Sequence, residues 1–357
     1  MKELIVDKNV IKTNLAAVRE KAAGLSIMAV VKSDAYGLGL SGAVELLYAE
    51  GVRRFGVCLA SEAAVIRQAG YGDVEILMLR SISHAAEIEQ LLDLGVTATI
   101  GSQEAAMALS GLAERRSTVA EAQIKIDTGF GRYGFLPSEM DKIFGVYQYL
   151  GNLAITGIYT QYNSQLSRKA LLRQAAAFDT VLAGLRERRM ETGTVHAAGS
   201  TVLFTKKDVP LYDMVRVGAA LGASGLPRGS KTGLGKAAKL HAQIEEVRWL
   251  PARSPVSGGK RLRKAARVGV VPVGYADGFA VQKPPSSKSS AYRRLMRELW
   301  AKPRFLRTAE GKKLRLLGRV GQTHLALDLS SSDAGAGTDV YAEVIPLFCG
   351  RLPIRYV

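Results

Sequence analysis

Between residues 1 and 220 the chain alternates short apolar runs with longer amphipathic stretches. The runs are Ser26–Lys32 (SIMAVVK), Arg53–Cys58, Val74–Arg80, Val96–Ile100, Gln123–Asp127, Ala154–Tyr162, Val195–Ala198 and Met214–Val217. Each is strand-sized and most are apolar almost throughout, as parallel strands covered on both faces must be. The stretches between them repeat their apolar positions every three or four residues. Asn9–Ala22 carries Val10, Leu15 and Val18 on one face, and the same period runs through Ser61–Gln68, His84–Leu94, Ser102–Glu114, Glu139–Tyr149 and Gln165–Glu191. Ser102 stands where a helix N-cap belongs, and Gly70 and Gly95 where helices stop.

Strands alternating with helices over this length predict an α/β fold, a (β/α)8 TIM barrel. The rival is a doubly wound open sheet, which usually has fewer strands. After about residue 232 the alternation ends. Short β-like runs follow at Leu240–Val247, Ala266–Val273, Leu314–Val320, Leu325–Leu329 and Val340–Pro346, with Gly/Ser/Pro-rich basic loops between them and a short basic helix at Ala291–Trp300. The expected organisation is a barrel over 1–232 followed by a smaller, mainly-β domain over 233–357, with the first few residues pairing with the β domain.

Charge supports the division. The formal net charge is +17, and the segment from Arg228 to Arg315 alone holds 22 Lys/Arg against 5 Asp/Glu. Such a surface attracts polyanions, although basic runs without a recognised nucleic-acid module are most simply solvated surface. With 47% hydrophobic residues and 23% charged ones, the chain is not disordered. Its apolar runs are too short to cross a bilayer, and its start lacks a signal-peptide core. Two cysteines, Cys58 and Cys349, exclude a disulfide framework, and the histidines lack metal spacing, so no metal site is expected. A soluble cytoplasmic protein is the expectation.

Barrel enzymes gather their chemistry at the C-terminal ends of the strands. There the sequence offers Lys32, followed by SDAYGLG, then Lys125, Asp127 and Arg132 in KIDTGFGRYGF, Gln161, His196, Gly199–Ser200, and Arg216 with Gly218. A lysine ending an apolar strand is partly desolvated and therefore suited to act as a nucleophile. Tyr36, Ser200 and the backbone at Gly218 could hold a phosphate, which barrels often bind after their last two strands. An imine-forming lysine beside a phosphate cradle points to pyridoxal 5′-phosphate.

AVVKSDAYGLG, KIDTGFGRYGF, GIYTQY, DMVRVGAALG, VPVGYADGF and the terminal RLP-x-R-Y resemble, in order and spacing, the alanine racemase family of fold-type III pyridoxal phosphate enzymes. GIYTQY and ILMLRS are most similar to the serine and alanine racemase branch linked to vancomycin resistance, here without its membrane part. The resemblance implies that Lys32 carries the cofactor and is the base for the D-enantiomer. It implies that Tyr275 is the opposite base, supplied by the other subunit of a homodimer. Arg216 corresponds to the arginine at the pyridine nitrogen, with His196 near it, and Arg132 to the residue holding the substrate carboxylate. Lys125 corresponds to an often carbamylated lysine bracing that arginine, and Tyr36, Ser200, Gly218 and Ala219 to phosphate contacts.

The pocket departs from the family. Gln161 replaces a histidine against the cofactor ring, and Gly199 an asparagine beside the phosphate serine. Gln322–Thr323 replaces a Met-Asp pair near the substrate carboxylate, and Gly350 a tyrosine that narrows the pocket. A larger or more acidic amino acid is therefore a candidate substrate. The alternative from another class is a degenerate or non-racemase pyridoxal phosphate barrel whose basic β domain binds nucleic acid or an acidic partner, carried by KRLRK and AYRRLMRELWAKPRF. The joint presence of Lys32, Tyr275, Arg132 and Arg216 favours a racemase. Nucleic acid and membrane are not expected partners.

Overall fold

A computed structural model describes residues 1–223, 232–259, 261–281 and 305–357. They form two compact units, one of Met1–Lys8 with Lys236–Val357, the other of Asn9–Gly235. In chain order the elements are β1 (Lys2–Val6), α1 (Lys8–Ala22), β2 (Ser26–Val30), α2 (Lys32–Gly37), α3 (Leu40–Ala49), β3 (Arg54–Val57), α4 (Ala60–Gln68), β4 (Glu75–Ser81), α5 (Ala85–Asp93), β5 (Thr97–Ile100), α6 (Gln103–Arg115) and β6 (Ala120–Ile126). There follow α7 (Met140–Tyr149), β7 (Leu153–Thr160), α8 (Arg168–Glu187), β8 (Thr194–Gly199), α9 (Ser200–Thr205) and β9 (Met214–Val217).

Strands β2 to β9 pair in parallel and in sequence order, and β9 closes back on β2 with Met28 opposite Arg216. The barrel interior is packed rather than hollow. Met28 of β2, Leu77 of β4, Tyr159 of β7 and Met214 of β9 form one buried cluster inside it. The helices bury their periodic apolar faces, as Ile11, Leu15 and Val18 of α1 show. Ser102 caps α6 by accepting from Ala105 N at 3.2 Å, and Gly70 and Gly95 take positive φ at helix ends.

The other unit continues with β10 (Ala238–Gln243), β11 (Glu246–Leu250), β12 (Ala266–Val271), β13 (Phe305–Thr308), β14 (Lys313–Leu317), β15 (Leu325–Asp328), β16 (Asp339–Ala342) and β17 (Ile354–Tyr356). With β1 they make a nine-stranded sheet in the order β11-β12-β15-β14-β13-β16-β10-β1-β17. A polar network centred on the buried Glu3 and His241 crosses this sheet. His241 lies between Glu3 at 2.8 Å and Asp339 at 2.9 Å, and Arg355 donates twice to Glu3. Arg355 foremost, with His241, holds the Glu3 pKa down at about 2 against the opposing effect of burial.

The structure differs from the sequence reading in places. The run Leu240–Val247 is two strands, because the chain changes partners at its middle: Ile244 N donates to Thr338 O and Glu245 N to Val270 O. Strand β14 stops at Leu317 because Gly318 takes φ +68 against the backbone of Val256. Helices α2, α3 and α9 and strands β13 and β17 were not anticipated. The basic helix expected at Ala291–Trp300 lies outside the described residues.

Candidate active site

Lys32 follows β2 rather than ending it, and its setting is unusual. Ser33, Asp34, Ala35 and Tyr36 all have φ between 52° and 59°. Left-handed backbone costs about 1–2 kcal/mol for each such residue, so the turn must be held from outside. Glu62 does much of this. One carboxylate oxygen accepts from Ser33 N at 2.6 Å, and the other accepts from Cys58 N at 2.8 Å and Leu59 N at 3.1 Å. Asp34 Oδ1 accepts from Leu40 N at 2.6 Å at the far end. Lys32 thus stands half-buried on a rigid, reverse-handed turn at the C-terminal rim of the barrel.

Across the interior, Arg216 on β9 is buried and its hydrogen bonds go to neutral acceptors. Nη2 donates to Thr160 O at 2.7 Å, Gln161 Oε1 at 2.9 Å and Ala197 O at 3.3 Å; Nη1 donates to His196 Nδ1. An arginine cannot accept, so His196 Nδ1 is the acceptor and Nε2 carries the hydrogen, donating to Gln123 Oε1 at 2.8 Å. Burial, and then the charge of Arg216, holds the His196 pKa well below the ordinary histidine value, which keeps the ring neutral. Burial lowers Arg216 to about 10, still a cation at neutral pH. Its Nε–H has no acceptor among the described residues.

Between β8 and β9 the amides of Gly218 and Ala220 both reach Ser200 Oγ at 3.2 Å. Gly218 is obligatory here: a Cβ would lie 2.3 Å from Tyr36 Cε2 and 2.6 Å from Val30 O. Tyr36 therefore packs directly on that backbone, and burial pushes its pKa up to about 12. Gly199 is different, since a Cβ there would meet only ordinary contacts at 3.5 Å and beyond.

Lys125 on β6 is 4% exposed and makes no ion pair among the described residues; its nearest ring neighbours are Tyr133 at 5.4 Å and Tyr159 at 5.5 Å. Burial first, and then the charges of Arg132 and Arg216, lower its pKa to about 8. After β6, a loop folds back on itself and carries Arg132. Asp127 accepts from the amides of Gly129, Phe130 and Gly131 through Oδ1 and of Arg132 through Oδ2, all at 2.8–3.1 Å. Burial opposes ionisation of Asp127, but the four amides prevail and hold its pKa below the usual value.

Tyr275, Gln322 and Thr323 belong to the other unit. Tyr275 opens a 3-10 turn, Tyr275–Asp277, and its side chain is 54% exposed. The turn is fixed from several sides: Tyr275 N donates to Gly321 O, Ala276 N to Gln322 O, and Gly274 N and Lys2 Nζ to Asp277. Its two glycines are forced, since a Cβ on Gly274 would lie 2.1 Å from Gln322 O and one on Gly278 would lie 2.6 Å from Phe348 O. The backbone thus brings Tyr275 and Gln322 together. Thr323 bonds its neighbour His324 at 2.9 Å. A Cβ on Gly350 would meet nothing within 4 Å, so the missing side chain there is not a backbone requirement.

Three contributors escaped the sequence reading. Gln123, which orients His196, was visible as a polar residue inside an apolar strand. Glu62 was visible as an acid in the first turn of α4. Ala220 offers only an amide, and no side-chain pattern marks it.

The residues present fit pyridoxal phosphate. An amine, a buried cation with a spare donor, and a hydroxyl–amide cluster at a glycine that admits no side chain are its three points of attachment. Residues 6–223 match the family described as alanine racemase, N-terminal domain, and residues 237–346 match alanine racemase, C-terminal domain. An alanine racemase of Carboxydothermus hydrogenoformans is 34% identical over 279 residues, covering 75% of this chain and 74% of that protein. Among solved structures, alanine racemase of Clostridium difficile 630 has TM-score 0.86 at 22% identity, covering 100% of this chain and 95% of that one. That of Bartonella henselae, with covalently bound pyridoxal phosphate, has TM-score 0.81 at 23% identity, covering 100% and 99%. At such identities the solved structures speak for the fold, and both sequence domains, matched in order, speak for more: the chain belongs to the alanine racemase family.

Proposed function

We propose that the chain racemises its amino acid with Lys32 and Tyr275 as the two bases, in a cytoplasmic homodimer whose subunits share their active sites. The chain is a pyridoxal-phosphate-dependent amino-acid racemase, as its family is. When bound, the cofactor supplies an electron sink that makes the α-proton of an amino acid acidic. The rest falls to the protein. Ser200, the Gly218 and Ala219 amides and Tyr36 would hold the phosphate end. Arg216, kept in place by His196 and Gln161, would offer its Nε–H to the ring nitrogen while itself staying protonated. Arg132 receives the substrate carboxylate. Lys32 Nζ handles the proton on one face of the α-carbon and Tyr275 Oη handles it on the other. Racemisation needs a proton to leave one face and another to arrive opposite, and a nitrogen base facing an oxygen base provides this.

The observation that carries the reading is the buried Arg216 cation, whose hydrogen-bond partners are all neutral and whose Nε–H is unused among the described residues. A buried N–H without a partner is costly, and a neutral acceptor such as a ring nitrogen would satisfy it. Lys125 supports it further. At a pKa of about 8 a fraction of its amine is neutral near pH 7, and the neutral amine adds CO2, giving a carbamate and a proton. The carbamate would turn a repulsive neighbour of Arg132 into an attractive one.

The substrate class in this proposal is a small amino acid, with room for one bulkier or more acidic than alanine at Gly350 and Thr323. The test is a panel of enantiopure amino acids in deuterated water, scored for α-proton exchange. Exchange from both enantiomers of one amino acid is expected. A silent panel would overturn the function, and strong preference for alanine would remove the enlarged pocket.

A further inference from the structure

We propose that Asp127 is the positioning residue that presents Arg132 to the substrate, with the Phe130 ring as the platform under the guanidinium. This rests on the reading of Arg132 as the carboxylate seat and explains how an exposed arginine is kept ready for it.

The loop leaves β6 and returns at once. Its base is closed by Asp127 N to Phe135 O at 2.8 Å and Phe135 N to Lys125 O at 2.9 Å. Above the base, Gly129 to Tyr133 are exposed, so packing does not shape them. The Asp127 carboxylate does: three amides converge on one oxygen, and the amide of Arg132 itself takes the other. Gly129 and Gly131 adopt φ +118 and +76, conformations in which the successive N–H groups turn inward. The acid therefore grips the backbone of Arg132 and leaves its charge alone. The guanidinium lies 4.7 Å over the Phe130 ring centroid and makes no hydrogen bond or ion pair with the described residues. A fixed backbone, a stacked plane and five unused donors make a receptor for a planar carboxylate. An Asn at 127 offers one oxygen and an NH2, so it cannot accept from all four amides.

The experiment uses the holoenzyme and three variants, D127N, F130L and R132M, with steady-state kinetics and calorimetric titration of propionate, a carboxylate without an amine. D127N is expected to raise both KM and the propionate Kd about tenfold while kcat stays within about threefold. F130L, an exposed and conservative change, is expected to raise both about two- to fivefold. R132M is expected to abolish propionate binding. Native propionate affinity in R132M would overturn the reading of Arg132 itself. Loss in R132M with native affinity in D127N would overturn the positioning proposal and leave that reading intact. Should D127N fail to fold, native affinity and KM in F130L would overturn the proposal by the second route.

Discussion

The two units treat buried charge in opposite ways. In the sheet unit, Glu3 and His241 are buried, and each has ionic or hydrogen-bonding side-chain partners: the Arg355 cation and His241 for Glu3, the Glu3 and Asp339 carboxylates for His241. In the barrel, Lys125 and Arg216 are buried as well, but no carboxylate pairs with either among the described residues. Paired burial holds strands together, whereas unpaired burial is costly unless something else supplies the missing charge. The contrast separates architecture from chemistry without reference to any ligand. It also explains why the barrel site reads clearly from its interior, while Tyr275, exposed on its fixed turn, is recognisable mainly by the glycines around it.

The comparison can be broken most severely at Lys32 and Tyr275, the two residues proposed as bases. Lys32→Ala should abolish turnover in both directions and, after borohydride treatment and peptide mass analysis, show no cofactor on the Lys32 peptide. Tyr275→Phe should suppress exchange from the L-enantiomer far more than from the D-enantiomer. Equal loss in both directions in Tyr275→Phe would remove the division of labour between units.

A smaller effect separates the two kinds of buried charge. Arg216→Met should cut turnover at least about 100-fold, yet leave the melting temperature of the cofactor-free protein unchanged or higher, as when unpaired buried charge gives way to apolar packing. Glu3→Gln should leave turnover nearly intact and destabilise the protein by about 1–2 kcal/mol, a modest figure because Arg355 is half exposed. If Arg216→Met melted the cofactor-free protein as much as Glu3→Gln does, the distinction would be lost.

The smallest effects are in pH. Glu3 has a folded pKa of about 2, below its unfolded value of 4.5. Its stabilisation is present above pH 4.5 and lost as pH falls toward 2. Lys125 has a folded pKa of about 8, below 10.5. The folded state therefore binds fewer protons between those values, and the penalty, complete below pH 8, is relieved as pH rises to 10.5. Thermal melts of cofactor-free protein should show the acid loss and the alkaline gain. Lys125→Met should remove only the second, and an unchanged alkaline slope in that variant would contradict the assignment.

Much of this was legible in the chain. Continuous apolar runs identify barrel strands because both faces are covered, and each strand end then names a rim residue. The (β/α)8 reading follows from that alone. The turn after Lys32 was opaque for a physical reason: Glu62, distant in sequence, holds its start from outside, and the spacing of Asp34 from the Leu40 amide it accepts from does not mark left-handed backbone. Gln123 escaped because its role lies in orienting a neighbour. Strand β17 escaped because three residues after a proline form a strand only when β1 is there to pair with them.

The reverse-handed turn beside Lys32 has a consequence of its own. Ser33 to Tyr36 occupy the region of backbone space that mirror-image residues prefer, so D-alanine built into position 35 by chemical synthesis would sit there relaxed by about 1–2 kcal/mol where L-alanine is strained. A protein whose trade is to invert amino-acid configuration thus keeps, next to its reactive amine, a stretch of chain in which the opposite enantiomer would be more at ease.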